Sequence, residues 1–575
     1  MAQSLRQLSI QGPGSQGLNS EVSPFQQTVE FALRADNAVI DRVGRIAARE
    51  AFADYISDND LGLADPDDFE IVRIEQIITD EQVSNVSAEW NVSEWSEAEW
   101  SGDENIRFLA GTRVLGIAGI GNYKYTNFDS YVGVTVEGGK LKAIPEIAPT
   151  HGVANCQLVP FKDEIYVFSK GDAPMVWDGT TATKLSDHPN YRPPQDDTGV
   201  IASELNGDIA CAAYGRLWVS GVDGDYDTIF WSDLLIPHQW YDGTTDANGE
   251  PLDPFNSAGI IDVREYWPTG NDKIQGIAAH NGFLIIFGNH SILIYSGAQG
   301  NPAGDTDASG NAIQGAGLQL QDAIRDVGLV NQDAMCNIGT DHLFVDSLGV
   351  RSLGRVVQEK SSPLAEPSLN VATVIRKDIE FNRDSVRMFH LPSKSLAVCL
   401  FPRQRESYVF QLGQPGVTGG LRCTRCTYCD FWDGTTLLAD YREIEVLGGR
   451  DSRGLLAYDG YKQPTKYTLS YESTVLLSGE SLTQSLVPKS IVYSYHTDRD
   501  TSVSELYSRW GFGTEQMPFM ARVFDRLTDS QFRSTKVNVN GSGDMLRVGF
   551  DVHIDGKPFA MQQISINTLV GRVFV

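Results

Sequence analysis

The apolar and polar positions along this chain follow the pattern of short strands joined by tight turns. In the stretch KIQGIAAHNGFLIIFGNHSILIYSG (273–297), three apolar runs are separated by turns at His280-Asn281-Gly282 and Gly288-Asn289. Asn and Gly adopt the positive φ angles that hairpin turns require, and β-branched and aromatic residues favour strands. The pattern therefore predicts three consecutive antiparallel strands, a β-meander.

The same pattern recurs elsewhere with little sequence identity. Further meanders are predicted at 157–179, 210–233 and 341–353. An aromatic-Asp-Gly sequence, expected to form a turn, occurs at Trp177-Asp178-Gly179, Tyr241-Asp242-Gly243, Trp432-Asp433-Gly434 and Tyr458-Asp459-Gly460. Irregularly spaced meanders in this number favour the blades of a β-propeller over one large β-sandwich with many hairpins.

The predicted fold class is mainly β, with a β-propeller domain and a platform of N- and C-terminal β-rich, sandwich-like segments. The predicted segments are an N-terminal platform segment 1–53, an acidic insertion 54–105, a propeller 106–461 with a long loop at 297–317, and a C-terminal β platform domain 462–575. The last of these has longer strands that alternate apolar and polar residues, which is typical of a sheet with one buried face.

Two stretches near the N-terminus have less definite patterns. The stretch RIAAREAFADYI (45–56) places its apolar side chains within helical reach of one another, which predicts a short amphipathic helix. The apolar runs 31–33 and 38–40 fit short strands or helical turns, and their periodicity does not distinguish the two.

Composition narrows the function classes. The chain has 575 residues, 41% of them hydrophobic, and a formal net charge of −29 from 75 acidic and 46 basic residues. DNA binding by phosphate neutralisation needs clustered Lys and Arg, so a conventional DNA-binding surface is not expected. The acidity serves solubility, or it lines a passage through which DNA slides without adhering. No apolar run reaches the roughly 20 residues of a membrane span, and the N-terminus lacks a signal-peptide core, so synthesis in a cytoplasm is expected.

Positions 54–104 form the most acidic part of the chain, with sixteen Asp or Glu residues and one basic residue, Arg73. Within this segment Trp90, Trp95 and Trp100 recur every five residues. This period matches neither a strand face nor a helix stripe. One hypothesis is that the segment docks into a groove on a neighbouring subunit or partner, because Trp is a favoured interface anchor. The other is that it forms a surface loop folded back on its own domain.

Three cysteines have a spacing known from metal sites. Cys423, Cys426 and Cys429 form a C-x-x-C-x-x-C sequence, but no fourth ligand lies nearby in sequence. On a strand, Cys423 and Cys429 would share one face and Cys426 the other. The sequence therefore favours buried thiols, and we predict no metal and no cofactor.

An acidic turn resembles the start of a calcium loop. Asp223, Asp225 and Asp227 match its first positions, but Thr228 stands where Gly is required and Leu234 where Glu is required. A polar hairpin turn is predicted instead. The sequence contains no G-x-S-x-G, H-E-x-x-H or Walker-type motif, and no catalytic residue is predicted.

Several short motifs follow one another in an informative order. They are Gly17-Leu18-Asn19, Ser23-Pro24, Asp36-Asn37-Ala38 with Gly44 and Arg49, TIFWSD (228–233) before His238-Gln239-Trp240, the meander 278–295, Val327-Gly328, LGVRSL (348–353) and Gly571-Arg572. In this order they resemble the tail nozzle, or tail tubular (B type), proteins of short-tailed, podovirus-like bacteriophages. The resemblance extends over nearly the whole chain except the acidic segment.

The resemblance implies a structural virion protein of the phage tail and not an enzyme. Members assemble as a homohexameric ring around the DNA channel, dock on the adaptor (head-to-tail connector) ring, contact tail fibres, spikes or a needle, and gate or conduct DNA ejection. Genomic DNA would pass the lumen without specific binding. Trp90, Trp95 and Trp100 are the candidate partner-docking residues. Asp305, Asp307 and Asn311, in the loop 297–317, are the candidate residues for lining or gating the channel.

Two other functions stay open at this point. One is a carbohydrate-binding or glycan-hydrolysing β-propeller, because exposed Trp and Tyr stack on sugars and carboxylates can perform acid–base chemistry. Against it, the aromatic-Asp-Gly sequences lack the spacing of sialidase-type blades. The other is a propeller scaffold that binds peptides.

Overall fold

A computed structural model gives the fold of the chain. It describes residues 5–56, 70–75, 117–121, 131–136, 140–144, 146–151, 156–162, 164–178, 181–196, 199–240, 258–299, 318–360, 366–439, 442–450, 455–458, 460, 466–476, 485–497, 505–513, 519–523, 532–556 and 558–570. The statements below concern these residues.

The N-terminal part contributes five strands to three different sheets. They are β1 (Leu5–Gln11), β2 (Ala32–Asp36), β3 (Ala38–Ile40), β4 (Ile46–Ala48) and β5 (Phe52–Ile56). The amphipathic helix predicted over 45–56 is therefore wrong. Ile46 and Ala48 are buried in one sheet and Phe52 in another, so pairing with distant strands decides the conformation of this stretch.

The first four blades of a propeller follow, each a four-stranded antiparallel sheet. Blade 1 has β6 (Glu70–Glu75), β7 (Ile117–Gly121), β8 (Tyr131–Val136) and β9 (Lys140–Ile144); blade 2 has β10 (Gln157–Phe161), β11 (Glu164–Phe168), β12 (Met175–Trp177) and β13 (Ala182–Lys184). After a small hairpin of β14 (Gln195–Asp196) and β15 (Gly199–Val200), blade 3 has β16 (Ile209–Ala213), β17 (Arg216–Ser220), β18 (Thr228–Trp231) and β19 (Gly259–Asp262). Blade 4 has β20 (Ile274–His280), β21 (Phe283–Gly288), β22 (Ser291–Ser296) and β23 (Gln319–Arg325).

Three more blades complete the propeller. Blade 5 has β24 (Met335–Asn337), β25 (His342–Val345) and β26 (Val350–Ser352), followed by the helices α1 (Leu353–Glu359) and α2 (Ala372–Asn382). Blade 6 has β27 (Arg387–Leu391), β28 (Leu396–Phe401), β29 (Glu406–Pro415) and β30 (Leu421–Thr427). Blade 7 has β31 (Phe431–Ala439), β32 (Arg442–Gly449) and β33 (Leu455–Tyr458), with the N-terminal β5 as its fourth strand.

Short 3-10 helices occur at Leu185–Asp187, Val222–Gly224, Arg264–Tyr266, Leu369–Val371, Pro392–Lys394 and Pro402–Gln404. The longest helix that the structure describes is α2, with 11 residues, and none of the described helices has the length and apolarity to cross a bilayer.

The first strands of the blades form a ring. Contacts join β6 to β10, β10 to β16, β16 to β20, β24 to β27, β27 to β31 and β31 back to β6. Between blades 4 and 5, Gly276 packs against the chain that leads into blade 5, where an added Cβ would lie 2.4 Å from the Leu329 side chain. Among the described residues the propeller therefore has seven blades. Its first strand, β6, begins at Glu70, earlier than the predicted boundary near Ile106.

The platform is a β-sandwich built from both ends of the chain. Its C-terminal strands are β34 (Lys466–Ser473), β35 (Leu486–Thr497), β36 (Leu506–Gly511), β37 (Phe519–Val523), β38 (Phe532–Asn538), β39 (Arg547–Asp555) and β40 (Phe559–Val570). One sheet has the order β3-β4-β40-β35-β38, with β1 also pairing to β40. The other is continuous with blade 6, in the order β27-β28-β29-β30-β2-β34-β39-β36-β37. Tyr493, Ile564 and Phe550 lie in the apolar core between the two sheets.

The structure confirms the predicted fold class, a propeller with a platform of N- and C-terminal segments. The meander predicted at 273–297 is β20, β21 and β22, and its first turn has Asn281 and Gly282 at φ angles of 48° and 85°. The other predicted meanders are also present. The runs 31–33 and 38–40, which the sequence left open, lie in strands β2 and β3.

Candidate functional site

A cavity of about 470 Å³ lies at the centre of the propeller, where the blades meet. It is lined by residues from the first strands of blades 2 to 7, and each of these strands presents a short stretch to it. The lining includes Gln157 and Leu158, Cys211 and Ala212, Ile277 to Ala279, Met335 to Asn337, Arg387 to Phe389, and Asp433 to Thr435. Blade order alone brings these positions together, because they are far apart in sequence.

A polar network crosses this cavity and joins several blades. The Arg387 guanidinium lies 2.9 Å from an oxygen of Asp433 and 3.9 Å from an oxygen of Asp333. Gln157 Nε2 donates a hydrogen bond to the other Asp333 oxygen at 3.1 Å. Arg387 is 5% exposed, and the effective dielectric constant around a buried charge is lower than in water, which strengthens its attraction to both carboxylates. The network connects blades 2, 6 and 7 with the segment that enters blade 5.

A second contact closes the ring between blades 4 and 5. Gln332 accepts a hydrogen bond from the Ile277 amide at 2.8 Å through Oε1, and its Nε2 donates to the Ile277 carbonyl at 3.1 Å. The side-chain amide thus pairs with the edge of β20 as a neighbouring strand would. It satisfies backbone groups that otherwise lie unpaired in the wall of the cavity.

Two cysteines line the same cavity but are not activated. Burial raises the pKa of the Cys211 and Cys336 thiols to about 12. A thiol is a weak nucleophile until it is deprotonated, so both are poor nucleophiles at neutral pH. The polar residues of the cavity therefore connect neighbouring blades, and its two thiols are not activated for reaction.

A histidine pair lies at the edge of this cavity. The rings of His280 and His342 are 5.4 Å apart and nearly perpendicular. His342 is 7% exposed, and burial, with a smaller contribution from His280, lowers its pKa to about 4. His342 is therefore neutral at physiological pH.

Sequence reasoning missed most of this network. The sequence predicts Asp433 only as part of a turn, and this prediction is wrong. Trp432-Asp433-Gly434 lies within β31, where the register shifts between Phe431 and Gly434. A β-bulge of this kind re-aims a side chain. A signal was present at Arg387, a charged residue at the start of the apolar run RMFHL.

The cysteine spacing does not form a metal site. Cys423 packs in the core under α2, whereas Cys426 and Cys429 pack in the core between blades 6 and 7. The expectation that Cys423 and Cys429 share a face is wrong, because Tyr428, at φ 57°, turns the chain after β30 ends. A hydrogen bond to Cys429 and the nearby Arg49 lower the pKa of Cys426. Among the described residues no His, Cys, Asp and Glu side chains are grouped to hold a metal ion.

The acidic turn in blade 3 is a hairpin turn. Asp225 accepts hydrogen bonds from the Asp227 amide at 2.9 Å and from the Thr228 hydroxyl at 2.7 Å. Asp227 pairs with Arg264 at 3.2 Å. The carboxylates are thus used to fix the connection between β17 and β18.

The residues predicted for docking and gating lie outside the described residues. These are Trp90, Trp95, Trp100, Asp305, Asp307 and Asn311. The first three belong to the chain between β6 and β7 of blade 1, and the last three to the chain between β22 and β23 of blade 4. The strand β22 is the third of its blade, so this connection starts on the outer half of the propeller, away from the central cavity.

Comparison with known proteins gives only distant structural likenesses. No family model matches the sequence, and no curated protein sequence matches it. The chain is similar to the Pan2 WD40 domain of Neurospora crassa (10% identity, 69% of this chain and 96% of that chain, TM-score 0.30) and to Hsv2 of Kluyveromyces lactis (11%, 54% and 95%, TM-score 0.28). It is also similar to an exo-beta-1,3-galactanase of Phanerochaete chrysosporium (10%, 73% and 97%, TM-score 0.23). At scores this low the likenesses support no statement about function.

Proposed function

We propose that this chain is a structural protein of a short-tailed bacteriophage virion, the nozzle or distal tail tube. In this proposal a homohexameric ring surrounds the DNA channel, docks on the adaptor ring, and contacts fibres, spikes or a needle. The observation that carries the proposal is the interleaving of N- and C-terminal strands in one platform attached to a propeller. This is the architecture that the resemblance in sequence motifs implies.

The first of those motifs lies where blade 6 of the propeller meets the platform, a boundary that we call the seam. Gly17, at φ 80°, lies against the backbone of Cys423 on β30, where an added Cβ would be 2.4 Å from the Cys423 carbonyl oxygen. The Leu18 amide donates to that oxygen at 2.8 Å, and the Ala32 amide donates to the Gly17 carbonyl at 2.9 Å. The Gly-Leu-Asn motif thus joins blade 6 to the platform, and its residue types follow from this close approach.

The Asp-Asn-Ala motif lies at the same seam. Asn37 has a φ angle of 54°, and its backbone N–H donates a hydrogen bond to the Arg425 carbonyl at 2.7 Å. Its side chain donates to Thr427 Oγ1 and to the Thr468 carbonyl, both at 3.0 Å, and accepts from the Thr427 amide at 3.0 Å. One side chain therefore connects the N-terminal segment, blade 6 and the C-terminal β34.

The motif in blade 3 fixes the propeller itself. Ser232 Oγ accepts from the Leu217 amide at 3.0 Å, and the buried Trp240 donates from Nε1 to the Pro237 carbonyl at 2.8 Å. The Trp240 amide also donates to the Arg192 carbonyl at 2.9 Å. The motif residues thus have architectural roles, and their shared order supports a shared architecture with tail nozzle proteins.

The net charge of the chain agrees with a DNA-conducting ring. A formal net charge of −29 repels DNA phosphates, which favours passage without adhesion. In this proposal Asp305, Asp307 and Asn311, which lie outside the described residues, line or gate the channel of the ring. The network in that cavity, with its internally paired charges, suits a structural role.

The test is the assembly state of the purified full chain. Its native mass would be measured alone and with connector complexes isolated from virions, and any rings would be averaged in electron micrographs. We expect a sixfold ring with a central channel, formed alone or on the connector. A chain that stays monomeric at high concentration and does not bind the connector would overturn the proposal.

A further inference from the structure

A second cavity, of about 680 Å³, lies where blade 6 meets the platform, on the side of the sheet that faces α2. We call it the arginine groove. Its charged lining consists of four arginines and two carboxylates: Arg34, Arg425, Arg509, Arg547, Asp36 and Glu472. Its size is in the range of about 300–1,000 Å³ typical of ligand sites.

The strand register builds this groove. On the continuous sheet, Arg34 of β2 is opposite Glu472 of β34, Glu472 is opposite Gly549 of β39, and Gly549 is opposite Arg509 of β36. Gly549 has no side chain, so the row has a gap at its centre. Arg425 on β30 lies opposite Asp36 and extends the row of charged side chains toward blade 6.

The arginines retain capacity for a further anion. Arg34 pairs with Asp36 at 2.6 Å, Arg425 with Glu406 at 2.5 Å, and Arg509 with Glu472 at 3.3 Å and with Asp551 at 3.5 Å. A guanidinium has five N–H donors, and these ion pairs with described residues occupy only some of them, which allows an added carboxylate to bind.

Arg547 is the least satisfied member. It is 5% exposed, its guanidinium lies 3.9 Å from Glu472, and its Nε has no hydrogen-bond partner among the described residues. Arg425 Nε likewise has no hydrogen-bond partner in the part of the chain that the structure describes. Burial and the nearby Arg509 lower the pKa of Arg547, and an acidic ligand would offset both effects.

Apolar surface adjoins the charged part of the groove. Val374, at the start of α2, is 37% exposed, and Val22 and Phe25, on the loop that contains Pro24, are each 38% exposed. A fitting ligand therefore has carboxylates next to large apolar side chains.

The chain itself contains a segment of this chemistry. Residues 85–102, NVSAEWNVSEWSEAEWSG, contain three Glu-Trp pairs, at Glu89-Trp90, Glu94-Trp95 and Glu99-Trp100. We propose that the arginine groove binds this segment of a second copy of the chain, with glutamates on the arginines and indoles on the apolar rim. The inference rests on the proposed function, because a ring supplies each groove with a neighbouring segment and makes a head-to-tail contact.

The first experiment measures binding of a labelled peptide of residues 85–102 to the full chain. The receptor carries Trp90→Ala, Trp95→Ala and Trp100→Ala, so that its own segment does not compete. We expect saturable binding that weakens with added salt. Arg34→Gln or Arg509→Gln in the receptor should each weaken binding about tenfold or more, whereas Arg376→Gln, an exposed residue of α2, should not.

The second experiment separates binding to a neighbour from binding within one chain. The tryptophan triple variant retains a groove, and the Arg509→Gln variant retains a segment. We expect neither to form rings alone and the mixture to form dimers through one intact contact. Peptide binding that ignores the arginine substitutions or Glu→Gln changes in the peptide, or a mixture that stays monomeric, would overturn the inference. If both variants form rings like those of the wild type, the inference about the groove is wrong and the proposed function stands. If the peptide binds as expected but the wild-type chain forms no ring, the groove binds the segment and the proposed function is wrong.

Discussion

Phe52, on the N-terminal strand β5, lies directly opposite Tyr458 on β33, and the centroids of the two rings are 5.5 Å apart. The Phe52 ring also packs edge-on against Phe431 at 5.0 Å. Through this pairing the N-terminal part of the chain supplies the outermost strand of the last blade. The propeller is thus closed by residues that precede its first blade.

Phe52→Ala should destabilise the protein by about 3–5 kcal/mol, because it removes a buried aromatic ring and leaves a cavity in the closing blade. The free energy of unfolding from denaturant titration measures this. Phe381→Ala, at a ring that is 78% exposed, is the matched control and should change stability little. Equal effects of the two substitutions would show that Phe52 does not hold the closure.

Gly17→Ala should weaken the seam between propeller and platform. The new Cβ would lie 2.4 Å from the Cys423 carbonyl oxygen, so a backbone must move, at a cost of about 1–3 kcal/mol beyond that of the positive φ angle. Gly171→Ala is the control, since Gly171 has φ 74° and no atom within 4 Å of an added Cβ. The two melting temperatures give the comparison, and the prediction fails if Gly171→Ala lowers its value as much.

Arg387→Met should cost about 3–5 kcal/mol, because it leaves the carboxylates of Asp333 and Asp433 together in the central cavity without their cation. Adding Asp433→Asn should recover part of the loss. Arg376→Met removes an ion pair with Glu380 that is more than half exposed, and should cost no more than about 1 kcal/mol. A double-mutant cycle from denaturant unfolding measures the coupling, and additive effects of Arg387→Met and Asp433→Asn would contradict it.

The free energy of unfolding should decrease as the pH falls, because His342 is buried in its neutral form. Burial lowers its folded-state pKa to about 4, so between that value and the unfolded value of about 6.5 the unfolded chain binds more protons. From about pH 7.5 to about pH 5 this contributes a loss of about 2 kcal/mol. His342→Leu should reduce the dependence of the free energy of unfolding on pH. An unchanged slope in His342→Leu would refute this role.

The individual hairpins of this fold can be predicted from the amino-acid sequence alone. Turn residues such as Asn281-Gly282 and the alternation of apolar residues specify each hairpin, because a hairpin's register depends only on neighbouring residues. The sequence also shows the acidic, tryptophan-bearing composition of 54–104. It contains none of the familiar catalytic motifs.

The pairing of strands that are distant in sequence depends on the complete fold. The apolar residues of 45–56 satisfy a helical period and two short strands equally well, and only pairing with β40 and β33 selects strands. Likewise, Arg387, Asp333 and Asp433 form one network only when the ring closes, and Arg34, Arg509 and Arg547 share a groove only in the register set by β2, β36 and β39. Such pairings depend on the burial of residues that are distant in sequence, so they cannot be predicted from a short stretch of the chain.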